Sequence, residues 1–209
     1  GVHPVPLAHI RSQIAAIFDD FPVAAVKVGM LGSRAVVRLV ARELRVRRPA
    51  HCIIDPVMIA TSGARLLDDN AIEALRDELI PLADVLTPNL PEAAALLNLE
   101  QPITSAAKAN AAAAQLRALG ARAVLLKGGH GLGKTLVDRL YDANGVLEIR
   151  HPRLRLQGHG TGCSLASALA AELAKGRTLR AATKHAVDYV NRGLRAGYQP
   201  GKADLTVLG

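Results

Sequence analysis

At 209 residues and 22.0 kDa, with half of its residues hydrophobic, the chain has the size of one domain, since single cores seldom split below about 250 residues. No run approaches the ~20 uninterrupted apolar residues of a membrane-crossing helix, and two cysteines, Cys52 and Cys163, do not make a secreted disulfide scaffold. The net charge of +8 raises the question of a polyanion, but aromatics at 2% and no tryptophan leave little to stack on bases, so neither nucleic acid nor membrane is expected as a partner, and a cytoplasmic setting is.

In chain order, Leu7, Ile10, Ile14, Ile17 and Phe18 form a helical stripe over 6–21, and 23–29 is a buried strand. Ser33 caps a helix running to about Arg47, whose Arg42 to Arg48 cluster reads as a solvated helix end suited to the macrodipole. A strand at 51–55 is closed by Pro56, and Asp69 is placed to cap a helix through Ile80. The segment 84–87 is the next strand, and Pro91 opens a short helix to Leu97. An alanine-rich helix over 105–119 ends at Gly120, and 123–127 is the clearest buried strand. Segments 136–142 and 146–151 flank Asn144-Gly145 as a hairpin, and two further helices cover 160–175 and 179–194.

Strand–helix alternation without a fixed internal repeat predicts an α/β fold, a mainly parallel sheet with helices on both faces. Ligands of such sheets sit beyond the carboxyl ends of the strands. Four strand ends carry polar or glycine-rich segments, Gly29-Met30-Leu31-Gly32, Asp55-Pro56-Val57-Met58, Thr87-Pro88-Asn89-Leu90-Pro91-Glu92 and Lys127-Gly128-Gly129-His130. Folding alone hardly requires that convergence.

A fifth segment, Gln157-Gly158-His159-Gly160-Thr161-Gly162-Cys163, enters an apolar helix. Its glycines let backbone N–H groups turn toward one point, and the helix start adds unpaired donors and a positive dipole end, which together make an anion hole for a phosphoryl group. The plain structural reading is a glycine cap. For Cys163 two readings stay open, a thiol activated by the dipole and an inert small hydrophobe. His159 and Cys163 are too few for a metal site. Asn89 and Glu92, three apart at a helix start, suit Mg²⁺ through oxygen and water, or merely favour the helix. Asp55 at the sheet mouth points to function, and Lys127 could meet a phosphate or snorkel outward.

Taken together, Asp55 to Met58 with Ser62-Gly63-Ala64, Leu86 to Ala93, Leu126 to His130 and His159 to Cys163 resemble the hydroxymethylpyrimidine/phosphomethylpyrimidine kinases of thiamine biosynthesis. The resemblance runs over nearly the whole chain. It implies a ribokinase-like, three-layer αβα domain over 1–209 that uses ATP and Mg²⁺ to phosphorylate a pyrimidine alcohol and then its monophosphate. By it, Gly160, Thr161, Gly162 and Cys163 are the anion hole and the group that activates or orients the hydroxyl. Asn89, Lys127 and Asp55 serve the nucleotide phosphates, Glu92 and Asn89 the metal, and Met30 and Val57 the pyrimidine. Family members are often homodimers. Gly158 stands where the family usually has Thr, and family members begin with a further strand, glycine-rich segment and helix, so the domain is read as N-terminally incomplete. A pyridoxal or pyridoxine kinase is the nearest alternative, and a non-catalytic nucleotide-binding module the next.

Overall fold

The computed structural model describes residues 3–58, 66–128, 134–154, 160–202 and 206–209. Ser62-Gly63-Ala64, Gly129-His130, Gln157-Gly158-His159 and Ala203-Asp204-Leu205 of the sequence reading lie outside the described residues.

The chain alternates as expected. Helix α1 (Leu7–Asp20) precedes β1 (Ala25–Val28), α2 (Arg34–Arg47), β2 (His51–Ile54) and α3 (Asp69–Ala74). Strand β3 (Val85–Leu86), α4 (Leu90–Leu96), α5 (Ala106–Ala118), β4 (Ala123–Leu126), β5 (Thr135–Asp142), β6 (Gly145–Pro152), α6 (Thr161–Ala174) and α7 (Leu179–Arg195) follow. The six strands lie side by side in sequence order, β1 to β4 parallel and the β5–β6 hairpin antiparallel.

The inner strands β2 to β4 are buried on both faces, which is why these runs are nearly continuously apolar rather than alternating, whereas the edge strand β1 is half-buried and carries Lys27. Val28, Ile54, Leu86 and Val124 face a core shared with α2, α4 and α5. Ile53, Val85 and Leu125 face α6 and α7. The result is the expected three-layer arrangement, with α1 packed outside α2.

Three local expectations change. Asp68, not Asp69, caps α3 by accepting from the Ala71 N–H. The regular helix then ends at Ala74 and continues as a π-turn over Leu75–Leu79 and a 3₁₀ turn over Ile80–Leu82. Pro81 lacks an N–H to continue an α-helical ladder, and its Cα would stand 2.8 Å from a β-carbon at Gly120, a closeness only glycine allows. The Arg42 to Arg48 cluster is more than a solvated end: Arg47 pairs with Asp19 of α1, and Arg45 donates to the Glu78 carbonyl at 2.8 Å.

Candidate active site

Side chains alternate across a strand, so residues two positions on share a face. Continuing the α6-facing side of β1 to β4 by one step beyond Ala25, Ile53, Val85 and Leu125 therefore gives Lys27, Asp55, Thr87 and Lys127. They meet at Asp55, which is 1% exposed. Lys127 Nζ donates to Asp55 Oδ1 at 2.8 Å, Thr87 Oγ1 lies 3.4 Å from the same oxygen, and Lys27 Nζ stands 3.7 Å from Asp55 Oδ2. Burial opposes the charge of Lys127, yet the Asp55 and Glu92 carboxylates outweigh it and hold its pKa above that of an ordinary lysine.

Asn89 and Glu92 form a reciprocal cap on α4. The Glu92 N–H donates to Asn89 Oδ1 at 2.7 Å and the Asn89 N–H donates to Glu92 Oε2 at 2.7 Å. This turn also fixes Lys127, whose N–H donates to the Pro88 carbonyl at 2.9 Å, while Glu92 Oε2 lies 3.7 Å from Lys127 Nζ. Burial pushes the Glu92 pKa up, against the opposing pull of Lys127 and the Asn89 N–H.

Above this row stands the start of α6. Gly160 is its N-cap at φ +73, a left-handed conformation that glycine adopts without strain, and no side chain caps the turn. The first-turn N–H groups are thus left for an anion. A β-carbon at Gly162 would lie 3.1 Å from Lys127 Nζ, so the missing side chain is what admits the ammonium. The dipole argument for a lowered thiol pKa at Cys163 does not hold: burial and then the Asp55 charge push it up, with Lys27 and Lys127 opposing.

These groups open onto a cavity of about 640 Å³. Asp55, Val57, Asn89, Glu92, Lys127 and Gly160 to Cys163 line it, bringing together nearly all of the residues singled out from the sequence. Met30 is the exception, 43% exposed and outside the lining. Leu136, Leu165, Val187, Val190 and Leu194 add an apolar wall to the cavity. Three contributors went unnoticed in the sequence. Lys27, which pairs with Asp55 but is not part of the cavity lining, had a signal, a charge inside an apolar strand, whereas Asp138 and His151 had none. Asp138 Oδ1 accepts from the Gly128 N–H at 2.6 Å and Oδ2 lies 3.0 Å from His151 Nε2, which pins the corner after Lys127.

A buried cation–carboxylate row under an open helix N-terminus suits transfer of a phosphoryl group. The sequence profile described as phosphomethylpyrimidine kinase matches residues 1–207. The chain belongs to that family. Among its relatives, the thiamine biosynthesis bifunctional protein ThiED of Geobacter sulfurreducens is 41% identical over 97% of this chain and 41% of its own length. The hydroxymethylpyrimidine/phosphomethylpyrimidine kinase of Haemophilus influenzae is 40% identical over 92% of this chain and 73% of its own length. The chain therefore spans less than half of the bifunctional relative and about three quarters of the single-named one. In structure it is similar to an ADP complex of Bacillus subtilis pyridoxal kinase, with a TM-score of 0.90 and 30% identity over 100% of this chain and 77% of that one. The ribokinase-like fold of this phosphomethylpyrimidine kinase family member is thus the expected one, and it is a kinase.

A kinase of this family implies ATP and a divalent cation. The cavity fits a nucleotide, with an apolar wall for the base and Lys127 and the α6 N-terminus for phosphates. Glu92 fits a cation, because burial and the nearby Asp55 both disfavour its charge and a positive ion relieves both. Asn89 fits less well than the sequence suggested, since its amide oxygen is engaged in the cap. Among the described residues no cluster of three or more His, Cys, Asp or Glu could hold a metal by itself, and Mg²⁺ ordinarily keeps several waters and leans on substrate phosphates.

Proposed function

We propose that the protein phosphorylates 4-amino-5-hydroxymethyl-2-methylpyrimidine with ATP, and then the resulting monophosphate, to give the pyrimidine pyrophosphate used for thiamine. The observation that carries this reading is the Asp55–Lys127–Glu92 row beneath the uncapped start of α6, in a chain of this family.

In the first transfer the alcohol oxygen attacks the γ-phosphorus while the bond to the β-phosphate oxygen breaks. Lys127 holds the nucleotide phosphates, and the N–H groups of Gly160, Thr161, Gly162 and Cys163 receive the charge of the moving phosphoryl group. Asp55 holds Lys127 in place and does not itself need to touch the substrate. Cys163 Sγ, once ionised, takes the hydroxyl proton, with Val57 on the wall beside the ring. Glu92 would help to hold Mg²⁺, which when bound would supply neutralisation of phosphate charge.

The similarity to pyridoxal kinase supports a second reading, an alcohol on a pyridine ring. Both are decided by the rates of ATP-dependent phosphorylation of the pyrimidine alcohol and of pyridoxal by the purified protein. Turnover of the pyrimidine with a larger kcat/KM is the expected result; efficient turnover of pyridoxal alone would replace the first reading with the second.

A further inference from the structure

Lys27 is the charged group of the row that the chemistry above does not use. The one ion pair it makes among the described residues is with Asp55 Oδ2 at 3.7 Å, too long for a hydrogen bond, and that oxygen accepts no hydrogen bond. Asp55 already has its cation, Lys127, at 2.8 Å. The three N–H groups of Lys27 thus meet no protein acceptor at hydrogen-bond distance among the described residues and reach solvent on a side chain 20% exposed, so a ligand oxygen can take them without breaking a protein hydrogen bond.

The position of the ammonium says where such a ligand would be. A β-carbon at Gly29 would stand 2.6 Å from Lys27 Nζ, so the side chain folds back over the loop that follows β1. Its charge also reaches the Cys163 thiol, which it pulls down in pKa against burial and Asp55. The two ammoniums thus flank Asp55 on different sides, Lys27 at Oδ2 over the Gly29 loop and Lys127 at Oδ1 beside Gly162 and the anion hole.

We propose that Lys27 binds the phosphate of a phosphomonoester acceptor, so that the second transfer, onto a phosphate instead of an alcohol, has a cation of its own. This rests on the functional reading above. The two transfers differ in need. An alcohol must lose a proton, which goes to Cys163. A phosphomonoester dianion has none to lose: one of its oxygens attacks the γ-phosphorus, the bond to the β-phosphate oxygen breaks, ADP leaves with the electron pair, and a pyrophosphate forms. What the dianion requires is relief from the phosphates and from Asp55 around it, and an ammonium with free donors supplies that.

The test compares wild-type protein with Lys27→Met, Lys27→Arg and Cys163→Ala, measuring kcat/KM for the alcohol and for its monophosphate, and the affinity for the monophosphate by calorimetry. Lys27→Met should lower the monophosphate-to-alcohol ratio of kcat/KM about tenfold or more, as expected for a lost charge-assisted hydrogen bond. Lys27→Arg should restore much of it. Cys163→Ala should shift the ratio the other way. Equal losses on both acceptors with Lys27→Met, or unchanged affinity for the monophosphate, would overturn the proposal. Wild-type protein that turned over neither acceptor would sink the functional reading, while the calorimetric comparison would still decide the role of Lys27.

Discussion

Lys127 and Asp55 come from strands separated by β3, yet their side chains close to 2.8 Å because each extends the same face of the sheet one step beyond its last core residue. Removing one partner leaves a buried charge, and such losses cost about 3 kcal/mol in stability. Lys127→Ala should therefore both lower the denaturation midpoint and weaken nucleotide use, with kcat/KM for ATP down about a hundredfold or more. Urea unfolding and ATP titration of the same preparation separate the two effects. A stable Lys127→Ala with normal ATP kinetics would show that the ion pair is structural only.

The Cys163 thiol has a pKa raised by burial and by Asp55. At neutral pH it is thus mainly protonated, and its base form grows as pH rises. Alcohol phosphorylation should accordingly climb with pH on an alkaline limb that Cys163→Ala removes. A limb that survives the substitution would assign the proton to another group.

The two cysteines should differ sharply toward a thiol-alkylating reagent. Cys52 is buried on β2 and its pKa is pushed up to about 12 by burial and then Asp84, whereas Cys163, though partly desolvated by the cavity wall, remains exposed to solvent and so to a reagent. Mass spectrometry of the native protein should find label on Cys163 and none on Cys52, and ATP should slow the labelling. Equal modification of both would mean that the fold opens readily around β2.

Gly128 has no room for a side chain: a β-carbon there would sit 2.3 Å from the Val137 carbonyl oxygen. The clash is with backbone of β5 and cannot be relieved by a rotamer. Gly128→Ala should cost about 2–3 kcal/mol and, because Asp138 holds the Gly128 N–H, should also displace Lys127. A denaturation midpoint equal to that of wild type would refute this.

Much of the architecture was legible because each signal was local. Ser33 caps α2 as its position suggested, accepting from the Val36 N–H, and the apolar runs at 51–54 and 123–126 are strands. What sequence spacing left open or missed depended on partners it does not show. For Asn89 and Glu92 spacing allowed a metal pair or a plain helix start, and they face each other, but each spends one side-chain oxygen on the other's backbone N–H. For Cys163 spacing left an activated and an inert thiol both open, and burial, then Asp55 more than a hundred positions earlier, push its pKa up. Lys27 sits inside an apolar run that reads as a buried strand, and nothing near it in sequence announces Asp55. His151 and Asp138 lie on a hairpin whose alternation reads as ordinary β-structure, and only register brings them to the cavity.

The plain order of the strands has a consequence for how the protein is made. Every strand from β2 to β6 pairs with the one synthesised just before it. Within residues 25–152 no strand has to be threaded between two that are already joined, so the sheet can grow by addition at one edge as the chain emerges from the ribosome. The helix that completes the anion hole, α6, is made after all six described strands, and the phosphate site is therefore finished only once these strands have been synthesised.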